Sequence, residues 1–151
     1  MKINQEFFDY IKPYLLKIQE KIGDDFVVFG SAPLYLLGIV EFAGKINDLD
    51  ISVKNSQDIP HDAEVVTFQK DQNQKFYKIR VDNMEIDMAS AWTGQEHFFD
   101  KIHSNPIVVE GFKFANLEVV REWKEEMVKK YNRAKDQEYL DKIHYFQNQS
   151  S

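Results

Sequence analysis

Two stretches decide how this chain reads: Phe26-Val27-Val28-Phe29-Gly30-Ser31 and Asn47-Asp48-Leu49-Asp50-Ile51-Ser52-Val53. The pattern is an apolar strand entering a Gly-Ser turn, a short helix, and a second strand carrying Asp-Leu-Asp. Side chains alternate along a strand, so Asp48 and Asp50 share one face while Leu49 and Ile51 take the core face. Two carboxylates on one strand face repel each other unless a cation lies between them. Mg²⁺ is the first candidate, because it prefers oxygen ligands and takes a few carboxylates together with substrate phosphates.

Upstream, Asn4 caps a helix whose apolar positions Phe7, Phe8, Ile11, Leu15, Ile18 and Ile22 follow a helical period. Pro13 is expected to kink that helix or mark a second start. Ser31 is placed to cap the next helix, from Ala32 to Gly38 or Val40, with Pro33 in its first turn. Residues 41–47 read as a loop.

Downstream, Asn55 to Asp62 is polar and holds Pro60, and Val65 to Phe68 forms a short strand. Asp82-Asn83 joins Lys75–Val81 and Met84–Ser90 as a hairpin, with Glu85 and Asp87 on one face of its second arm. Glu85 is expected to stand exposed. A short helix follows within Thr93–Asn105, then a hairpin around Gly111, then helices over Leu117–Tyr131 and Lys135–Phe146. Gln147 to Ser151 reads as disordered. Leu117, Val120, Lys124, Met127 and Tyr131 form one helical stripe, which sets a lysine amid core positions. Such a lysine either snorkels out or meets negative charge.

Bulk composition narrows the class. The 151 residues are 43% hydrophobic and 14% aromatic, enough for a globular core over one domain. Its parts are an N-terminal helix over 1–24, a sheet core over 26–115 and C-terminal helices over 117–146. The absence of cysteine excludes disulfides, thiolate zinc sites and a cysteine nucleophile. No signal-peptide run opens the chain and no segment reaches transmembrane length, so a cytoplasmic address without membrane contact is expected. A net charge of −6 argues against an extended nucleic-acid surface, though not against a nucleotide held by a metal and local lysines. His61, His97, His103 and His144 lack metal-ligand spacing and read as surface or loop positions. Trp92 and Trp123 read as core or pocket wall.

Asp48, Asp50 and Asp87 converge if their strands are neighbours, and two Mg²⁺ ions there would align a hydroxyl with a phosphorus. Phe29-Gly30-Ser31, then Asp48-Leu49-Asp50-Ile51, then Ile86-Asp87-Met88 resembles the nucleotidyltransferase superfamily of DNA polymerase beta. The closest likeness is to small lincosamide and aminoglycoside nucleotidyltransferases and to abortive-infection nucleotidyltransferase toxins. Lys45-Ile46-Asn47-Asp48-Leu49-Asp50 matches the family's Arg-x-Thr-x-Asp-hydrophobic-Asp, with Lys for Arg and Asn for Thr. Lys124, Arg133-Ala134-Lys135-Asp136 and Asp141 follow the order of its C-terminal helix pattern. The likeness spans Phe26 to Ile143. It departs in Lys45, which lacks the arginine fork, and in the sixteen residues (32–47) between Ser31 and Asp48.

The resemblance implies an α/β (α+β) nucleotidyltransferase fold, a small mixed sheet flanked by helices on one side, with a C-terminal helical segment. It implies transfer of a nucleoside monophosphate, from ATP or another nucleoside triphosphate, to an acceptor hydroxyl with release of pyrophosphate. Asp48, Asp50 and Asp87 would be the metal and catalytic residues; Gly30, Ser31, Lys45 and Lys124 would hold phosphates. The acceptor is a small molecule such as an antibiotic, or a protein or RNA end as in the toxin relatives, and a homodimer would complete its pocket. A non-catalytic nucleotide- or partner-binding domain of the same fold stays open, as does a two-carboxylate phosphoesterase.

Overall fold

The computed structural model describes residues 2–150 and has a mixed seven-stranded sheet with five α-helices. Helix α1 (Gln5–Ile22) is capped as expected, the Asn4 side chain accepting from the Phe7 N–H. Pro13 does not break it. The proline lies on the exposed face, as does Asp9, whose carbonyl loses its partner and is left to water.

Strand β1 (Phe26–Phe29) leads through Gly30 and Ser31 to α2 (Ala32–Leu36). That helix is shorter than its sequence pattern, and Ser31 makes no side-chain cap bond. Strand β2 (Asp48–Val53) returns antiparallel to β1, with Phe29 opposite Asp50. A 3₁₀ turn at Ser56–Asp58 leads to β3 (Glu64–Phe68) and the long β4 (Asp71–Val81). The Asp82-Asn83 turn, with Asp82 at φ 54°, reverses the chain into β5 (Met84–Ala89). Then come α3 (Glu96–Ile102), the hairpin β6 (Ile107–Val109) and β7 (Phe112–Phe114), α4 (Leu117–Tyr131) and α5 (Ala134–Ser150). Asn132, left-handed at φ 54°, ends α4. Helix α5 runs on past Phe146 through the stretch expected to be disordered, which contains no glycine or proline to stop it. Ser151 lies outside the described residues.

The strand order is β3-β4-β5-β2-β1-β7-β6, with β1/β7 and β2/β5 parallel and the other pairs antiparallel. Helices cover both faces, not one. On the first face Phe7, Phe8, Ile11, Leu15 and Ile18 of α1 pack onto Val28, Ile51, Ile86 and Phe114. On the second, α3, α4 and α5 bring Phe99, Trp123, Met127 and Ile143 onto Val27, Phe29 and Ala89. The reason lies in the strands: β1 is buried at all four positions, so each face needs its own cover. Tyr131 donates to Asp71 at 2.8 Å and ties the end of α4 to the start of β4. Among the described residues, no helix is long and apolar enough to cross a membrane.

Phe8 is fully buried and its ring meets Phe112 and Phe114 at 6.4 and 6.3 Å between centroids. Truncation to alanine is expected to cost about 3–5 kcal/mol in urea unfolding. Asn4→Ala is expected to cost about 1 kcal/mol, the worth of one helix cap.

Candidate active site

The second sheet face carries the charge. The β2/β5 register sets Asp50 opposite Asp87 and Asp48 opposite Glu85, so four carboxylates stand on one face of two adjacent strands. One oxygen from each of Asp48, Asp50 and Asp87 lies within 4.8 Å of the others. Glu85, expected to stand exposed, is half-buried and accepts from Lys78 at 3.3 Å and Arg80 at 3.1 Å.

Gly30 faces this cluster. Its φ of +68° is left-handed, and a Cβ there would lie 2.2 Å from Asp50 Oδ2. Glycine at this position therefore serves two needs at once, the turn after β1 and room for a carboxylate. Ser31 turns its hydroxyl toward the Lys124 ammonium, 3.3 Å away, instead of capping α2. At five residues α2 offers little dipole to an anion.

Lys124 projects from the buried stripe of α4, 5% exposed, and donates to Asp136 of α5 at 3.1 Å. Its ammonium also stands 4.7 Å from the Tyr139 ring centroid. The negative charge demanded by a lysine amid core positions is thus supplied within the fold by Asp136. Arg133 joins the same carboxylate, Nε to Oδ2 at 3.3 Å.

All seven residues singled out from the sequence, Gly30, Ser31, Lys45, Asp48, Asp50, Asp87 and Lys124, line one cleft of about 470 Å³. Trp92 and Trp123 form part of its wall, as expected, and Arg133, Lys135, Asp136 and Tyr139 close it from the C-terminal helices. The histidines stay outside it. His103 lies in the turn that ends α3, where its Nε2 is 2.9 Å from the Oγ of buried Ser52.

Crowding and burial raise the proton affinity of all three carboxylates. Burial, then the charges of Asp48 and Asp87, push Asp50 up to about 7. Burial also raises Asp87, against the opposing pull of Lys78, and raises Asp48, with Glu85 adding to the effect. Asp87 Oδ1 is buried and accepts no hydrogen bond. Converging carboxylate oxygens of like charge, one of them unsatisfied, suit a hard divalent cation such as Mg²⁺. The donor set fits.

The sign of the Asp50 shift fixes a pH dependence. Its folded value of about 7 lies above the ordinary 3.8, so between these limits the folded protein holds a proton that the unfolded chain has released. That stabilisation is full below pH 4 and is lost as pH rises through 7. With chelator present, Asp50→Asn is expected to gain stability relative to the parent from pH 4.5 to 8, by a few kcal/mol at most. Urea unfolding of both proteins at each pH measures it; a difference constant with pH would contradict the shift.

Compared with family models, with curated proteins and with solved structures, the chain finds no match, so the reading of this cleft rests on its own geometry.

Proposed function

We propose that the protein is a metal-dependent nucleotidyltransferase that moves a nucleoside monophosphate, AMP from ATP foremost, onto an acceptor hydroxyl and releases pyrophosphate. The observation that carries this reading is the convergence of Asp48, Asp50 and Asp87 within 4.8 Å, directly against the Gly30-Ser31 turn. Bound divalent cations would supply charge neutralisation for the triphosphate and for the attacking oxygen.

The chain's own residues divide the remaining work. Asp48 and Asp50, one strand face and two residues apart, would hold the cation that accompanies the triphosphate. Asp87, raised by burial, would complete the second cation site and accept the proton of the acceptor hydroxyl. The backbone at Gly30 leaves space beside Asp50 for a phosphate to approach. Ser31 and Lys124, already in contact, would meet its oxygens, with exposed Lys45 at the rim. Trp92, Trp123 and Tyr139 limit water at the inner wall of the cleft. The nucleotidyltransferase fold itself belongs to this proposal, as do a small-molecule, protein or RNA acceptor and a homodimer that would complete the acceptor pocket.

A nucleotide-binding domain without transfer is the second reading. It is favoured by one observation, the Lys78 ammonium 3.7 Å from Asp87 Oδ1, which sets a cation beside the third carboxylate.

Calorimetric titration with Mg·ATP tests the shared part of both readings. The parent is expected to bind, and Asp48→Asn and Asp50→Asn each to weaken binding at least about tenfold, since each removes a metal ligand. Absence of binding by the parent would overturn both readings. Pyrophosphate release over a panel of hydroxyl acceptors separates them: release in the parent, abolished in Asp87→Asn, identifies the enzyme.

A further inference from the structure

The cleft face of the sheet is laid out in rows. One runs Asp50 on β2, Asp87 on β5, Lys78 on β4 and Glu64 on β3, every neighbouring pair in register. The next runs Asp48, Glu85 and Arg80. Lys78 therefore flanks Asp87 on the side opposite Asp50. Its Nζ lies 3.3 Å from Glu85 Oε2 and 3.7 Å from Asp87 Oδ1, the buried oxygen that accepts no hydrogen bond.

These two distances differ in kind. At 3.3 Å the ammonium makes a hydrogen bond to Glu85, whereas at 3.7 Å it offers Asp87 charge without a bond. Coulomb attraction falls only slowly with distance, so the lysine still neutralises Asp87 while leaving its lone pairs open. A lysine suits this arrangement, being a point charge on a flexible four-carbon stem with its side chain 30% exposed. Glu85 is the seat it already holds.

We infer that Lys78 is the positioning residue of Asp87, an internal cation that occupies the acceptor side of the carboxylate cluster and yields Asp87 to a divalent cation by moving off it while keeping its bond to Glu85. The inference rests on the proposed function, in which Asp87 serves the second cation. Two cations beside one carboxylate repel each other, so the lysine weakens loading of that position by metal alone. A triphosphate, bringing further negative ligands, offsets the repulsion. The site is then assembled in order: the nucleotide first, the acceptor-side cation after it. The same contact keeps Asp87 from facing Asp50 as a bare like charge while the cleft is empty of cations.

Mn²⁺ alone, titrated into the full chain and followed by electron paramagnetic resonance, tests this without reference to turnover. Lys78→Gln and Lys78→Met are expected to bind Mn²⁺ at least about tenfold tighter than the parent, the lower end of what one neighbouring charge does to a carboxylate. Lys78→Arg, which keeps the charge, is expected to bind as the parent does. Thermal unfolding in chelator confirms that each variant folds. If both neutral variants bind Mn²⁺ no tighter than the parent, Lys78 is a structural cross-strand pair and the inference fails. In that event Mn²⁺ binding that is still lost in Asp50→Asn leaves the proposed function standing. If neither the parent nor any Lys78 variant binds Mn²⁺, the metal reading falls with it.

Discussion

Asp50 sits where three constraints meet: the backbone of Gly30, the carboxylates of Asp48 and Asp87, and a sheet position flanked by strands on both sides. A carboxylate so placed is costly, and burial with like charges drives its proton affinity up to about 7. The architecture around it keeps that cost in place. Antiparallel pairing of β1 and β2 fixes Phe29 opposite Asp50 and so brings Gly30 alongside. Parallel pairing of β2 and β5 adds Asp87. Neither pairing relaxes easily, because the opposite side chains, Leu49, Ile51, Ile86 and Met88, are locked under α1. Apolar packing on one face thus holds electrostatic strain on the other.

Cations enter this face from two directions and are used differently. From the sheet, Lys78 and Arg80 pair with Glu85, and Lys78 reaches toward Asp87. From the helices, Lys124 and Arg133 converge on Asp136, which is 2% exposed. A buried ion pair contributes little net stability, since desolvation offsets most of the attraction, but removing one partner is severe. The Lys124–Asp136 pair is therefore better understood as a device for holding an ammonium at a fixed point above Ser31. Asp136 of α5 is the carboxylate it bonds directly, while the more distant charges of Asp48 and Asp50 attract it across the cleft.

Much of this was legible in the residues because local rules governed it. The Asn4 cap, the apolar stripe of α1, the Asp82-Asn83 hairpin and the extent of α4 follow from capping, periodicity and turn chemistry. The convergence of the seven site residues on one cleft was reached through the order of motifs, and the cleft contains all of them. What was not legible lies at helix ends and in tertiary contacts: Ser31, itself in the helical region, leaves α2 uncapped and meets Lys124, α2 stops at Leu36, and α5 extends past Phe146 through residues that hold no glycine or proline. Helices on both faces follow from strands buried on both sides, which a four-residue apolar run does not distinguish from a half-covered strand. Lys78 is the exception. A two-residue turn at Asp82-Asn83 pairs 81 with 84 and hence 78 with 87, so its place beside Asp87 was written in the hairpin register all along.

That register links the two sets of charges. Hairpin pairing places Lys78 by counting from a turn, a local constraint that holds whether or not the cleft is filled. Lys124 is placed by a contact between two helices joined by Asn132, which is left-handed, and Arg133. The sheet cation is consequently fixed in backbone position and mobile only in its side chain, while the helix cation depends on α4 and α5 staying docked. A ligand bearing negative charge between them would draw on both, pulling Lys124 from Asp136 and releasing Asp87 from Lys78. The asymmetry gives the cleft an acidic floor fixed by the sheet and a cationic roof that depends on helix docking.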